Sequence, residues 1–181
     1  PFLLNGADAL FLTLRDVPDG LPDDGRDWFV RPDEDSKEEP GKVKTRDEII
    51  GLANKVLALE EHELPNGSLR HDTELMFTKP ARILSEWRLW VVTDEIVTFS
   101  LYKEGSRVVY RHGIDGDALE FAKGLVMANP DYAPAYVIDI CRTDDGLKML
   151  ETNCINAAGF YEADLLKLVS SIDGLSGVRT K

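Results

Sequence analysis

The run YVIDICRTDDGLKMLETN, Tyr136 to Asn153, carries the most structural information in this 181-residue chain. Two runs rich in branched apolar residues, Tyr136 to Arg142 and Lys148 to Asn153, flank the turn formers Thr143-Asp144-Asp145-Gly146, the pattern of an antiparallel hairpin. With Arg142 opposite Lys148 across a four-residue turn, Asp139 stands opposite Glu151, and period-two alternation sends Asn153 to the face of Glu151. Three oxygen donors then share one sheet face. Facing carboxylates repel by a few tenths to about 1 kcal/mol unless a cation lies between them. A hard cation such as Mg2+ accepts carboxylate and amide oxygens and leaves sites for substrate phosphates. Val137, Ile138, Ile140, Met149 and Leu150 mark the hairpin as core, which favours a metal site over a solvated hairpin with ordinary acidic residues.

Outward from the hairpin, the pattern predicts mixed helices and antiparallel strands. Trp87 to Thr93 and Ile96 to Tyr102 read as a strand pair joined at Asp94-Glu95, with Val108 to Tyr110 as a short third strand. Asp115 to Asn129 repeats Ala118, Phe121, Ala122, Leu125 and Val126 at helical spacing and stops at Pro130. Thr45 with Glu48 forms a capping box ahead of a helix that fades near Leu64, and Ala163 to Ile172 forms a last helix ending at Gly174. Trp28 to Val30 and Leu75 to Phe77 read as strands, and Lys79 to Ser85 as a crossing segment. Asp16 to Asp27 and Asp33 to Lys42 read as loops, and Leu10, Leu12 and Leu14 fit either a short strand or a turn of helix. No repeat appears, and the class is α+β.

Composition narrows the function. The 21 Lys and Arg against 33 Asp and Glu give a net charge of −12, so nucleic acid is not an expected partner and any polyphosphate must be met by a local basic cluster. With 43% hydrophobic and 30% charged residues, the chain can bury one substantial core. No apolar run nears the ~18 residues of a membrane span. The start has neither an initiator Met nor a basic n-region before a long apolar stretch; a cytoplasmic protein, trimmed at its front, is the expectation. Cys141 and Cys154 make no disulfide framework, and His62, His71 and His112 lack zinc spacing. Gly41-Lys42-Val43 lacks the Ser or Thr and the upstream Gly of a Walker A loop, and neither a kinase signature nor a serine nucleophile elbow is present.

The order of Asp139 in YVIDICRTDDG followed by MLETN resembles the metal-binding signature of the ATP-grasp fold. Upstream, FVRPDEDSKEEPGKV (29–43), LSEWRLWVV (84–92) and TFSLY (98–102) resemble the ATP-grasp clade named for two arginines and a lysine. The similarity runs from about residue 28 to 170, with its motifs in the family's order. It implies an ATP-grasp-like α+β fold in which two small lobes with antiparallel sheets clasp a nucleotide. The implied division is an N-terminal segment and loop at 1–27, a possible remnant of a preceding domain, an ATP-grasp domain at 28–173 and a tail at 174–181.

Carried over by position, the resemblance makes Asp139, Glu151 and Asn153 the Mg2+ ligands, and Arg31 a phosphate-binding residue that also serves catalysis. Lys37 and Lys42 would cover the phosphates from a loop where Gly41 permits close approach, and Glu86 would accept the ribose hydroxyls. An adenine hinge would begin at Phe77, and Arg88 and Arg142 are the candidates for the remaining catalytic arginine, although strict alternation turns Arg142 away from Asp139. Arg31, Lys37 and Lys42 could instead be solvated charges, Glu86 and Arg88 could pair across a strand, and Trp28, Trp87 and Trp90 fit core positions better than base-stacking platforms. The implied activity is ATP-dependent ligation of a small-molecule or peptide carboxylate to an amine through an acyl-phosphate, with ATP and Mg2+ as cofactors. The alternative is an ATP-binding module with a regulatory or assembly role. A homo-oligomer or a missing N-terminal domain would complete the acceptor site.

Overall fold

The computed structural model describes residues 2–4, 6, 8–33 and 41–176. They form two units, one made of residues 2–4 with those from Ala81 onward, the other of the residues between, up to Pro80.

The smaller unit is a four-stranded sheet in the order β1-β4-β2-β3, built from β1 (Leu10–Thr13), β2 (Trp28–Pro32), β3 (Lys42–Lys44) and β4 (Glu74–Thr78), all antiparallel. The Leu10 region is therefore a strand, paired with β4, and it belongs to the same sheet as Trp28–Pro32. Asp16 to Asp27 is not all loop. A 3-10 turn (Leu14–Asp16) leads into a four-residue helix, α1 (Val17–Gly20), which has a proline in its first turn and directs Leu14, Val17 and Leu21 into the core.

Helix α2 (Arg46–Leu57) begins at the Thr45–Glu48 capping box, with both reciprocal bonds present. It ends at Leu57, before Leu64, and His71 Nε2 lies 3.2 Å from Val56 O in its last turn and 3.1 Å from Leu59 O just beyond. Ile49 and Ala53 of α2 pack on Trp28, Leu75 and Phe77, with Trp28 and Phe77 edge to face at 6.3 Å. Fully burying a side chain of this size contributes roughly 1.5–3 kcal/mol.

The larger unit is a five-stranded antiparallel sheet in the order β7-β6-β5-β8-β9. Its strands are β5 (Ile83–Val92), β6 (Glu95–Glu104), β7 (Arg107–Arg111), β8 (Ala135–Thr143) and β9 (Gly146–Asn153). The β5–β6 turn is Thr93-Asp94, both at positive φ (48° and 60°), the sign pattern of the type I′ turn that matches strand twist. Helix α3 (Gly116–Ala128) covers one face, packing Ala118, Ala122 and Val126 on Trp87, Leu89, Val91, Ile138 and Ile140. The opposite face is divided. Helix α4 (Leu165–Ser176) and the preceding loop cover Trp90, Val92 and Val137, while the same face of β5 and β8 continues into Glu86, Arg88 and Asp139. Helix α4 runs through Gly174 rather than stopping there. All three tryptophans are core, at 3% exposure or less. Among the described residues no helix is long and apolar enough to cross a membrane.

Candidate active site

The β8–β9 hairpin is tighter than its four turn formers suggest. Thr143 and Gly146 still pair, leaving Asp144-Asp145 as the loop, and Arg142 faces Leu147 rather than Lys148. In that register Asp139 would face Leu150. One extra residue, Leu150, is accommodated in β9 between Met149 and Glu151, and beyond this bulge Asp139 faces Glu151 and Val137 faces Asn153. The Asn153 amide then donates to Glu151 Oε1 at 2.8 Å on the shared face.

A second bulge lies across the sheet. Glu86 pairs with Lys103 and Trp87 with Leu101, so Tyr102 is the extra residue of β6, and its hydroxyl donates to Glu86 Oε2 at 2.8 Å. Lys103 Nζ lies 2.7 Å from Glu86 Oε1 but out of hydrogen-bond alignment, so the contact is an ion pair only. Between the two bulges lies the centre of the site. Arg88 pairs with Asp139 across β5 and β8, its Nε donating to Oδ1 at 2.8 Å and its Nη2 to Oδ2 at 2.6 Å.

This fork is buried, with Asp139 2% and Arg88 8% exposed. Burial pushes the Asp139 carboxyl above its usual range while the Arg88 bonds pull it back, and those same bonds hold the guanidinium firmly charged. Arg88 is thus the cation that answers Asp139 within the chain itself. Each carboxylate oxygen keeps a further lone pair for a ligand. Burial raises the Tyr102 hydroxyl, and it pushes Cys141, on the same face, up to about 12, which leaves that thiol inert.

A loop after β9 roofs the fork. Arg88 Nη1 reaches Gly159 O at 3.5 Å, and the Tyr161 ring stacks between Tyr102 and Tyr110, 5.1 Å from each, with the Arg88 guanidinium 5.2 Å from its centroid. Tyr161 holds a left-handed backbone (φ 48°), which costs a non-glycine residue about 1–3 kcal/mol. The loop is tied down by Ser100 Oγ, which accepts from Glu162 N at 3.3 Å, and by Thr98 Oγ1, which accepts from Asp164 N at 2.8 Å. Sequence reasoning missed Tyr102 and Tyr161. A bulge re-aims the first, and no periodic pattern marks the second.

Other expected residues fall elsewhere. Arg142 is on the α3 face, bonded to Asp117 at 2.7 and 2.9 Å and to Asp115 at 3.0 Å, with its guanidinium 5.7 Å from the Trp87 ring. The bulge lies in β9, so β8 keeps its alternation and Arg142 is not brought to Asp139. Phe77 is fully buried in the smaller unit, because alternation along β4 aims Leu75 and Phe77 at α2, and its ring packs in the core there. Glu86 and Arg88 do not pair with each other, since both stand on β5 and each has its own partner.

Arg31, in β2, pairs with Met76, and its Nε is buried without a hydrogen-bond partner among the described residues. Lys42 is exposed and pairs with Val30, which sets it on the face opposite Arg31. Lys37 lies outside the described residues. At Gly41 a Cβ would meet the Phe29 ring at 2.3 Å, so packing against that ring is what demands the glycine. Among the described residues no three His, Cys, Asp or Glu side chains could together hold a metal ion; the set at β8–β9 is two carboxylates and an amide.

A search of curated protein sequences found no match. Solved structures do match. D-cycloserine synthetase DcsG superposes with a TM-score of 0.57 at 14% identity, over 91% of this chain and 63% of that one. The ATP-grasp ligase PsnB, complexed with a minimal precursor, gives 0.51 at 12% identity, over 84% and 47%. D-alanine–D-alanine ligase from Bacillus anthracis gives 0.50 at 14%, over 91% and 60%. The chain thus spans about half to two thirds of these proteins' lengths, and at such identities the likeness is one of fold. The profile of an ATP-grasp domain family, family 3 of the clade named for two arginines and a lysine, matches residues 15–172, and the chain belongs to that family.

Proposed function

We propose that the chain binds Mg-ATP on the polar half of its five-stranded sheet and serves an ATP-dependent ligase that joins a carboxylate to an amine through an acyl-phosphate. The carrying observation is the buried Arg88–Asp139 fork with Glu151 and Asn153 beside it, bracketed by two bulges on a face that α4 leaves uncovered. The residues fit the cofactors. Glu151 is exposed, Asn153 has an amide oxygen directed by its bond to Glu151, and Asp139 keeps free lone pairs, a donor set suited to Mg2+ sharing its sites with phosphate. The Nε of Arg31, unpartnered among the described residues, is a donor fit for a phosphate oxygen.

Bound there, Mg2+ would neutralise phosphate charge during transfer. Asp139, Glu151 and Asn153 would hold it. Arg88, fixed by Asp139 and by the Tyr161 ring, presents a guanidinium that cannot lose its proton and stabilises developing negative charge. Glu86, bonded to Tyr102, offers its carboxylate to the ribose hydroxyls. In the ligation the substrate carboxylate attacks the γ-phosphorus, ADP leaves, and the amine displaces phosphate. A cytoplasmic location, and an acceptor site shared with a second copy or a further domain, belong to the same reading.

Mass spectrometry of products formed with ATP, Mg2+ and a pool of amino acids and peptides tests it. The expected result is ADP formation matched by a condensed product. ATP bound but never cleaved with any amine would favour a binding module instead.

A further inference from the structure

Strand β9 is the edge of its sheet, and its outer side is occupied at one point only among the described residues. Leu3 bridges Met149 in parallel, with Met149 N donating to Phe2 O at 2.7 Å and Leu4 N donating to Met149 O at 2.9 Å. Met149 is the last residue before the bulge, so both of its backbone groups are held from outside immediately ahead of Leu150. The bulge is what turns Glu151 toward Asp139. If the turn-end register continued instead, Leu150 would face Asp139, and Glu151 would face Ile138, on the α3 side.

We propose that Phe2–Leu4 is a strap whose bonds to Met149 hold the β9 bulge and so keep Glu151 and Asn153 on the face of Asp139; the functional consequence rests on the reading of that face as a metal site. A bulge interrupts the ladder and leaves a residue unpaired, so an edge strand carrying one is locally weak. The strap restores two backbone bonds at that spot. Apolar burial does not account for it, because Phe2 and Leu3 remain 51% and 47% exposed. Its one ring contact among the described residues is Phe2 edge-on to Phe121, at 6.2 Å. Phe2, Leu3 and Leu4 are positioning residues that act through Met149.

Leu4→Pro deletes the Leu4 N–H donor and Leu4→Ala keeps it. Hydrogen exchange of the ligand-free chain should show amides of Met149–Asn153 exchanging about tenfold faster in Leu4→Pro than in wild type, with Leu4→Ala near wild type and β5–β6 unchanged. Equal protection of β9 in all three overturns the strap. Should Leu4→Pro lose protection throughout the sheet, a chain lacking residues 1–4 decides, since it removes both bonds without placing a proline: faster exchange confined to β9 supports the strap, and wild-type exchange overturns it. Paramagnetic titration with Mn2+ in the presence of ATP then reads the consequence, about tenfold weaker Mn2+ binding in Leu4→Pro than in Leu4→Ala. Wild-type Mn2+ affinity in a Leu4→Pro chain with an exposed β9 overturns the link to the metal site. Failure of wild type itself to bind Mn2+ overturns the metal reading, while the strap stands or falls on the exchange data.

Discussion

Two arginines on neighbouring strands of one sheet grip aspartates, and their surroundings make them different devices. On one face Arg88 holds Asp139 in a fork that is almost wholly buried, roofed by Tyr161 and flanked by bulges. On the other Arg142 holds Asp115 and Asp117 at the start of α3, where both carboxylates are 61% exposed. Solvent screens the second pair, which ties a helix N-terminus to the sheet. Water is excluded from the first, so removing either partner strands a charge, and the group that remains is available for a charged ligand.

The largest effect should come from breaking the buried fork. Arg88→Ala leaves Asp139 without a counter-charge and should lower stability by about 3–5 kcal/mol, whereas the double variant Arg88→Met, Asp139→Leu should recover much of the loss. Denaturant titration measures both. A single variant as stable as wild type would contradict burial as the distinguishing property.

Next in size is the roof. Tyr161→Ala removes the ring over Arg88, a contact worth about 0.5–2 kcal/mol, and should weaken Mg-ATP binding severalfold, while Tyr161→Phe keeps the stack and should bind as wild type. If Phe were as damaging as Ala, the hydroxyl and not the stack would be the active element.

Smallest is the exposed pair. Arg142→Ala should leave Mg-ATP affinity unchanged, which separates it from Arg88. Its signature is in pH. The Arg142 bonds hold the Asp117 pKa below its ordinary value, so the stability they contribute is present above the ordinary carboxylate range and is lost as pH falls through the lowered folded value. Wild type should therefore lose stability on acidification across that window, and the difference from Arg142→Ala should shrink there. A constant difference down to strongly acidic pH would show that packing on Trp87, not charge, is what Arg142 supplies.

The same contrast explains what is legible in the sequence. Period-two alternation suffices to keep Glu151 and Asn153 on one face and to turn Arg142 from the face of Asp139, because each follows from a single strand. The facing of Asp139 and Glu151 follows from the wrong turn register, and the Leu150 bulge restores it. Bulges leave no fixed signature, so nothing local foretells Tyr102 at the other one. The Arg88–Asp139 partnership depends on a pairing between strands 51 positions apart, which local pattern cannot register. The Phe77 ring is core, as its alternation with Leu75 already implies. The helix at Val17–Gly20 is hidden by a composition of turn formers, Pro18 being equally at home in a helix's first turn.

The central claim is that the polar half of the five-stranded sheet is a Mg-nucleotide site. Glu151 is its exposed carboxylate, so Glu151→Gln changes the ligand charge without emptying the core. Calorimetric titration of wild type and Glu151→Gln with ATP, with and without Mg2+, tests it most directly. The account predicts that Mg2+ strengthens ATP binding in wild type and that this gain is largely lost in the variant, with the unfolding midpoint unchanged. An equal Mg2+-dependent gain in both proteins would contradict it.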